Sequence, residues 1–208
     1  MEATKLPLAS IFTGHRVFDI PFYQRSYVWK KEQWERFLED MEFVSIESKD
    51  YFLGSAILKQ QNLNMGVTAD HRNVIDGQQR LTTLFIIISF MQRNFVDKVI
   101  TREADILRYS IRDTTDQFLR NKIQTGILWN SEIDPSQAAS KDQYYIMVVA
   151  KAVKEWFDND DNHLSPETLL HDLKLIVNEV DNGDEENVFA SLNGGKVDLD
   201  GADLMRAI

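Results

Sequence analysis

The sequence predicts an α+β fold: a small mixed or antiparallel sheet packed with helices, followed by a mainly helical C-terminal part. Three observations carry this. Two apolar runs of strand character, Tyr51 to Leu58 and Asn73 to Ile75, flank a polar stretch of turn composition. The second run passes through Asp76 and Gly77 straight into Leu81, Leu84, Phe85, Ile88 and Met91, which recur at helical spacing. Beyond residue 100 the apolar period is mostly helical.

Along the chain, Phe18-Asp19-Ile20 reads as a short strand that Pro21 stops, because proline cannot donate to a sheet ladder. Tyr23 to Trp29 follows as an aromatic and polar loop, with Tyr27, Trp29 and the later Trp34 read as core. Trp34, Phe37, Leu38 and Met41 share one face while Glu35, Glu39 and Asp40 lie off it, so Lys31 to about Ser45 is an amphipathic helix. Tyr51 to Leu58 and Asn73 to Ile75 are expected as antiparallel neighbours joined by a turn within Gln60 to Asp70. Helices are expected over Ile106 to Ile111, Thr115 to Gly126 and Gln143 to Phe157. Another is expected over Pro166 to Val177, where Ser165 offers an N-cap, Pro166 suits the first helical position and Glu167 lies in the first turn.

Asp158 to Asn162 and Asp181 to Glu186 read as acidic linkers. Val188 to Leu199 contains an Asn193-Gly194-Gly195-Lys196 turn, after which Asp200 caps a helix carrying Asp203 at its third position. A helix ending at Ile208 would have little to pack against, so the chain reads as truncated from a larger protein.

Composition bounds the chemistry. The absence of cysteine removes disulfides, thiolate catalysis and Cys-based zinc sites together. His15, His71, His163 and His171 have no metal-ligand spacing, so no zinc is assigned. No Gly-x-x-x-x-Gly-Lys-Ser/Thr loop occurs, which excludes a standard P-loop, and Gly-x-Ser-x-Gly is also absent. No apolar run approaches the roughly 20 residues that span a bilayer, and Met1 to Ser10 lacks signal-peptide character, so a cytoplasmic location without membrane contact is the default. Residues 155–208 hold 14 acidic and 3 basic side chains, whereas residues 1–154 hold 19 and 20. The net charge of -10 therefore belongs to the C-terminal quarter, and the nearly neutral remainder can carry a local basic pocket.

The junction Asp76-Gly77-Gln78-Gln79-Arg80 carries the chemical argument. A strand that turns through Asp-Gly into a helix sets unpaired amides beside the positive end of the helix dipole, an arrangement suited to an anion. Gly77 lets a phosphate approach, Arg80 can reach back to it, and Gln78 and Gln79 offer amides to a base, a ribose or a water. Asp76 could hold a divalent cation or orient water. The structural alternative is that Asp76 only caps the helix and Arg80 pairs with a nearby acid. Arg25, between Gln24 and Ser26 among aromatics, suits a base or a phosphate.

Taken in order, Ile20-Pro21-Phe22-Tyr23-Gln24-Arg25, the Trp29 to Asp40 segment with Trp34-Glu35, Tyr51-Phe52-Leu53-Gly54-Ser55 and Val74 to Leu84 resemble the N-terminal domains of GmrSD-type restriction systems. These domains are similar to that of the phosphorothioate-dependent factor SspE, with a fold related to the ParB and sulfiredoxin nucleotide-binding domains. Phe189 to Ile208 resembles the family's Asn-Gly-Gly turn and following helix, which extends the likeness over nearly the whole chain. The resemblance implies a ParB/sulfiredoxin-like nucleotide-binding domain in residues 1–100 and a helical extension in 101–208, truncated at its C-terminal end.

It also implies binding and hydrolysis of a nucleoside triphosphate with Mg2+, coupled to recognition of modified DNA in anti-phage defence. Asp76, Gln79 and Arg80 would be catalytic, Asp76 would hold the metal, and Gly77, Gln78, Arg25, Gln24 and Tyr23 would line the nucleotide pocket. Longer relatives carry a His-Asn-His type nuclease domain that this chain lacks, so the expected partners are such a domain or a nuclease subunit, modified DNA, and a second copy if the protein is a homo-oligomer. The alternative reading is a non-catalytic module that binds and senses modified DNA, and a weaker one is a structural domain whose pocket has decayed.

Overall fold

A computed structural model describes residues 2–12, 16–47, 51–61, 70–94, 106–159, 162, 164–180 and 185–193. Its centre is a six-stranded mixed sheet in the order β1-β6-β3-β4-β2-β5. The strands are β1 (Glu2–Pro7), β2 (Arg16–Ile20), β3 (Tyr51–Gln60), β4 (Asp70–Asp76), β5 (Leu107–Tyr109) and β6 (Leu173–Glu179). As expected, β3 and β4 are antiparallel, while β2 runs parallel to both β4 and β5. The C-terminal ends of β2, β4 and β5 therefore lie along one edge of the sheet, and this is where the loops of interest emerge.

The helices follow the apolar pattern. In α2 (Lys31–Glu47), Phe37, Leu38, Met41 and Val44 enter the core beside partly buried Trp29 and Trp34, and Tyr27 is fully buried. Helix α3 (Gln78–Asn94) is apolar on all sides through most of its length, so it must be covered all round. Sheet residues such as Phe18, Leu58 and Val74 join its side chains in one core, to which α5 (Lys141–Phe157) adds Ile146, Val149 and Val153. Ser140 caps α5 by accepting from the Gln143 amide at 3.2 Å. The expected Thr115 to Gly126 helix is present as α4 (Asp113–Phe118) running into a wider turn at Leu119–Gln124. On the opposite sheet face, α6 (Glu185–Asn193) sets Val188 and Phe189 against Ile57, Ile75 and Val180.

Two expected helices are strands in part. Within Ile106 to Ile111, Leu107–Tyr109 forms β5 and the rest is bend and turn, with Leu107 and Tyr109 buried and Arg108 between them, a run too short for its period to be read. Ser165 does start a helix, accepting from the Thr168 amide at 3.0 Å, but the coil gives way at Leu173 to β6. There Leu173, Leu175 and Val177 are buried and alternate with Lys174, Ile176 and Asn178. The strong start signals at Ser165 and Pro166 obscured this period of two. Strand β6 enters between β1 and β3, so the sheet draws strands from both sides of residue 100. Strand β1 and the short helix α1 (Leu8–Phe12) carried no sequence expectation. The acidic stretch from Asp158 does follow α5 as its C-cap and a turn, whereas Glu185 and Glu186 of the second expected linker belong to the first turn of α6. Most of the Gln60 to Asp70 turn, residues 181–184, the turn after Asn193 and the helix after Asp200 lie outside the described residues. Among the described residues, no helix is long and apolar enough to cross a membrane.

An ionic cluster ties the strands together. Asp70 bonds Arg72 at 2.7 Å and Arg16 at 3.3 Å, and Arg72 reaches Glu179 at 3.0 Å. Burial works to raise the Asp70 carboxyl, but the two guanidinium groups more than offset it and hold it below the usual carboxylate range. Its folded pKa is thus below the unfolded value of about 3.9, so its contribution is present above about pH 4 and lost as pH falls through the folded pKa. Asp70→Asn is expected to lower stability at pH 7 by roughly 1 kcal/mol, and the gap to the wild type to be smaller at about pH 3, below the unfolded carboxyl's range. Urea midpoints at the two pH values check this, and an equal gap at both would contradict it.

Candidate functional site

Strand β4 ends at Asp76, and Gly77 makes the turn into α3 with a φ of +94°. A Cβ at Gly77 would stand 3.0 Å from the Ser55 carbonyl oxygen and 3.1 Å from the Ala56 Cα, so backbone fills the space a side chain would need. The Gly77 carbonyl accepts from the Leu81 amide at 3.0 Å, which starts the helix and leaves the preceding amides without partners inside it. Asp76 is half-buried, and its carboxylate makes no hydrogen bond or ion pair to any described residue. It does not cap the helix.

The two glutamines fasten the loop after β2. Gln78 Nε2 donates to the Arg25 carbonyl at 2.7 Å, and Gln79 Nε2 donates to the Ser26 carbonyl at 3.0 Å. Gln79 Oε1 also accepts from the Val28 amide at 2.9 Å. The carbonyl before these, that of Gln24, accepts from Arg112 at 3.0 Å, and Arg112 is itself held by Asp142 at 3.1 Å. Three successive carbonyls of one loop are thus bound by side chains from two other segments. Gln24 completes the fastening: its amide, 4% exposed, donates to the Val74 and Ile75 carbonyls at 3.0 and 2.7 Å. What the loop leaves outside is the Arg25 side chain, which is exposed and makes no polar contact with a described residue.

Beneath the loop, Tyr27 shares a hydrogen bond with Thr83 at 2.7 Å, and Tyr109 shares one with Thr82 at 2.8 Å. Burial raises both phenols, and Tyr109 is pushed up to about 12. Both therefore stay protonated at neutral pH and serve as neutral posts under the start of α3.

Arg80 bonds a carbonyl and not an acid: its Nη1 donates to Ser55 at 3.0 Å. The guanidinium lies directly over Gly54, where a Cβ would stand 2.7 Å from Nε and 3.0 Å from Cζ. Gly54 has a φ of +117°, so both conformation and space call for glycine there. The Tyr51 to Ser55 segment thereby seats Arg80. The expected pairing of this strand with the one that enters the turn sets the two side by side, but nothing in the sequence links Gly54 to Arg80.

A second polar cluster lies on the α6 face. Asp19, Asn73 and Lys59 are lateral neighbours across β2, β4 and β3. Asp19 bonds His71 Nδ1 at 2.7 Å and accepts from Gln61 at 3.0 Å, while burial pushes its carboxyl up against the opposing pull of His71. At the first turn of α6, Glu185 accepts from Asn73 at 2.8 Å and Tyr23 Oη at 3.1 Å and pairs with Lys59 at 3.4 Å. Tyr23 is 5% exposed and packs against Phe189 with ring centroids 5.2 Å apart. Beside this cluster is a cleft of about 420 Å³, walled by Phe22 and Tyr23 after β2 and by Ser110 and Ile111 after β5. Apart from Tyr23, which the resemblance placed at the nucleotide pocket, the residues of this cluster lie scattered in the sequence and carry no motif, so strand register is the signal that joins them.

The structure thus brings Asp76, Gly77, Gln78, Gln79 and Arg80 against the loop of Gln24 and Arg25, with Tyr23 turned to the neighbouring cleft. The turn offers helix-start amides and two guanidiniums to an anion, beside one uncommitted carboxylate. Among the described residues no three of His, Asp and Glu gather as a metal site. Asp76 alone still suits magnesium, which takes one or two carboxylates and completes its shell with substrate phosphates and water.

A search of curated proteins finds no match. A family model described as GmrSD restriction endonuclease, N-terminal domain, matches residues 8–208. With the match covering almost the entire chain, this protein belongs to the GmrSD N-terminal domain family of restriction systems.

Proposed function

We propose that this domain binds a nucleoside triphosphate at the Asp76 to Arg80 turn and hydrolyses it. The observation that carries the reading is an uncommitted, half-buried Asp76 at the start of a buried helix, with Arg80 seated on Gly54 and Arg25 held out by a fully fastened loop. The first amides of α3 and the Arg80 guanidinium hold the phosphates, and Arg25 closes on them from the loop. Asp76 orients a water toward the terminal phosphorus. As the water's oxygen bonds there and its proton passes to the Asp76 carboxylate, the bond to the bridging oxygen breaks, and the arginines neutralise the charge that gathers on the leaving diphosphate. Magnesium, held by Asp76 and the phosphates, would supply further charge neutralisation when bound. Gln24, Gln78 and Gln79 act by fixing the loop that presents Arg25. In a restriction system such turnover would couple modified-DNA recognition to a nuclease domain or subunit in anti-phage defence.

Arg80→Ala is expected to weaken triphosphate binding at least about tenfold, since charge-assisted hydrogen bonds contribute about 1.5–3 kcal/mol each. Asp76→Asn is expected to retain binding and lose phosphate release. Calorimetry and phosphate release with ATP, GTP, CTP and UTP plus magnesium test both. Salt-sensitive binding of DNA by Arg25, with no turnover of any nucleotide, would instead make this a non-catalytic DNA-sensing module.

A further inference from the structure

The loop that presents Arg25 to the turn also forms a wall of the neighbouring cleft. Phe22 and Tyr23 line the cleft, and the next two residues, Gln24 and Arg25, belong to the turn. Both lie at the C-terminal ends of the parallel strands β2, β4 and β5, the edge where open sheets with parallel strands commonly take ligands. At about 420 Å³ the cleft falls within the range of small-molecule sites, about 300–1,000 Å³.

Its lining is part apolar and part charged. Phe22 and Ile111 are 45% and 59% exposed, two large apolar side chains that line the cleft together with Pro21 and the Tyr23 ring. The charged groups lining it are Lys59, Glu185 and Glu186, two carboxylates against one ammonium. Phosphate is therefore disfavoured inside the cleft and favoured at the adjacent turn, where Arg25, Arg80 and the positive end of α3 lie. A ligand matched to both regions is strongly anionic at one end. At the other it is neutral and flat, with apolar faces and hydroxyl or N–H donors at its edges.

We infer that this cleft seats the nucleoside part of the triphosphate whose phosphates lie at the Asp76 to Arg80 turn, an assignment that rests on the phosphate reading proposed above. The base packs between Phe22 and Ile111, and its donors and those of the ribose face Ser110 and the carboxylates at the first turn of α6. Because Gln78 and Gln79 hold loop carbonyls, selection among bases falls to this cleft and not to the turn.

The test compares calorimetric affinities of the four nucleoside triphosphates with that of inorganic tripolyphosphate, all with magnesium, for the wild type, Phe22→Ala and Ile111→Ser. Both positions are exposed, so the variants should fold, which circular dichroism checks. The expected result is that at least one nucleoside triphosphate binds the wild type about tenfold tighter than tripolyphosphate, a difference of about 1.4 kcal/mol. Both variants should lose that advantage and keep the wild-type affinity for tripolyphosphate. Equal wild-type affinity for tripolyphosphate and every nucleotide, or variants that keep the advantage, would overturn the assignment while leaving the phosphate reading intact. No binding of tripolyphosphate or nucleotide would overturn both readings. If Phe22→Ala lost a short single-stranded oligonucleotide but bound free nucleotides normally, the cleft would belong to a nucleotide of DNA, and the inference would fall.

Discussion

Gln79→Ala is expected to destabilise the fold by about 2 kcal/mol, because it leaves two part-buried backbone groups unpaired, each at the lower end of about 1–3 kcal/mol. The Val28 amide loses its acceptor and the Ser26 carbonyl its donor, and both belong to the loop that crosses the start of α3. Gln79 is 8% exposed, so water has little access to take over either role. Gln79→Glu separates the two bonds. Its carboxylate still accepts from Val28 but cannot donate to Ser26, and it is expected to fall between alanine and wild type in urea unfolding. Triphosphate affinity should fall with the loop in both variants, since Arg25 is no longer held in place. Were Gln79 instead a group that reads the ligand, alanine would lower affinity and leave the urea midpoint unchanged.

This contrast shows where the sequence is legible and where it is not. The strand, turn and helix around Gly77 can be read locally, because the period changes from two to 3.6 across a residue that needs positive φ. Tyr27 can be read as core from its neighbours, and it is fully buried. Gln79 and Gln78 look the same in sequence whether their amides meet a ligand or a carbonyl 53 residues away. Arg112 raises no expectation at all, yet it binds the first of the three loop carbonyls, that of Gln24, from 88 positions on. Partnerships across such distances depend on strand order, and that order turned on β6, whose alternation was obscured by the cap at Ser165. Asp76 is the converse case: motif chemistry flagged it, and only the folded chain shows that no described neighbour takes its carboxylate.

Gly54→Ala is expected to remove the anion site while leaving its named groups in the chain. The new Cβ would lie 2.7 Å from Arg80 Nε, and the yielding partner is the end of a flexible side chain, so Arg80 moves and the sheet does not. The φ of +117° adds strain of about 1–3 kcal/mol that alanine cannot relieve. Triphosphate affinity should therefore fall at least about tenfold, as in Arg80→Ala, together with a lower urea midpoint. Gly77→Ala differs because its Cβ would meet the backbone of Ser55 and Ala56, which cannot swing away, so a stability loss of about 2–4 kcal/mol should dominate. A double-mutant cycle separates strain from displacement. In an Arg80→Ala background the Cβ at position 54 has no guanidinium to meet, so Gly54→Ala should lower the midpoint less and change affinity no further. Full additivity of the two substitutions in affinity would mean that Gly54 does not act through Arg80, and the role of Tyr51 to Ser55 as the seat of that arginine would have to be given up.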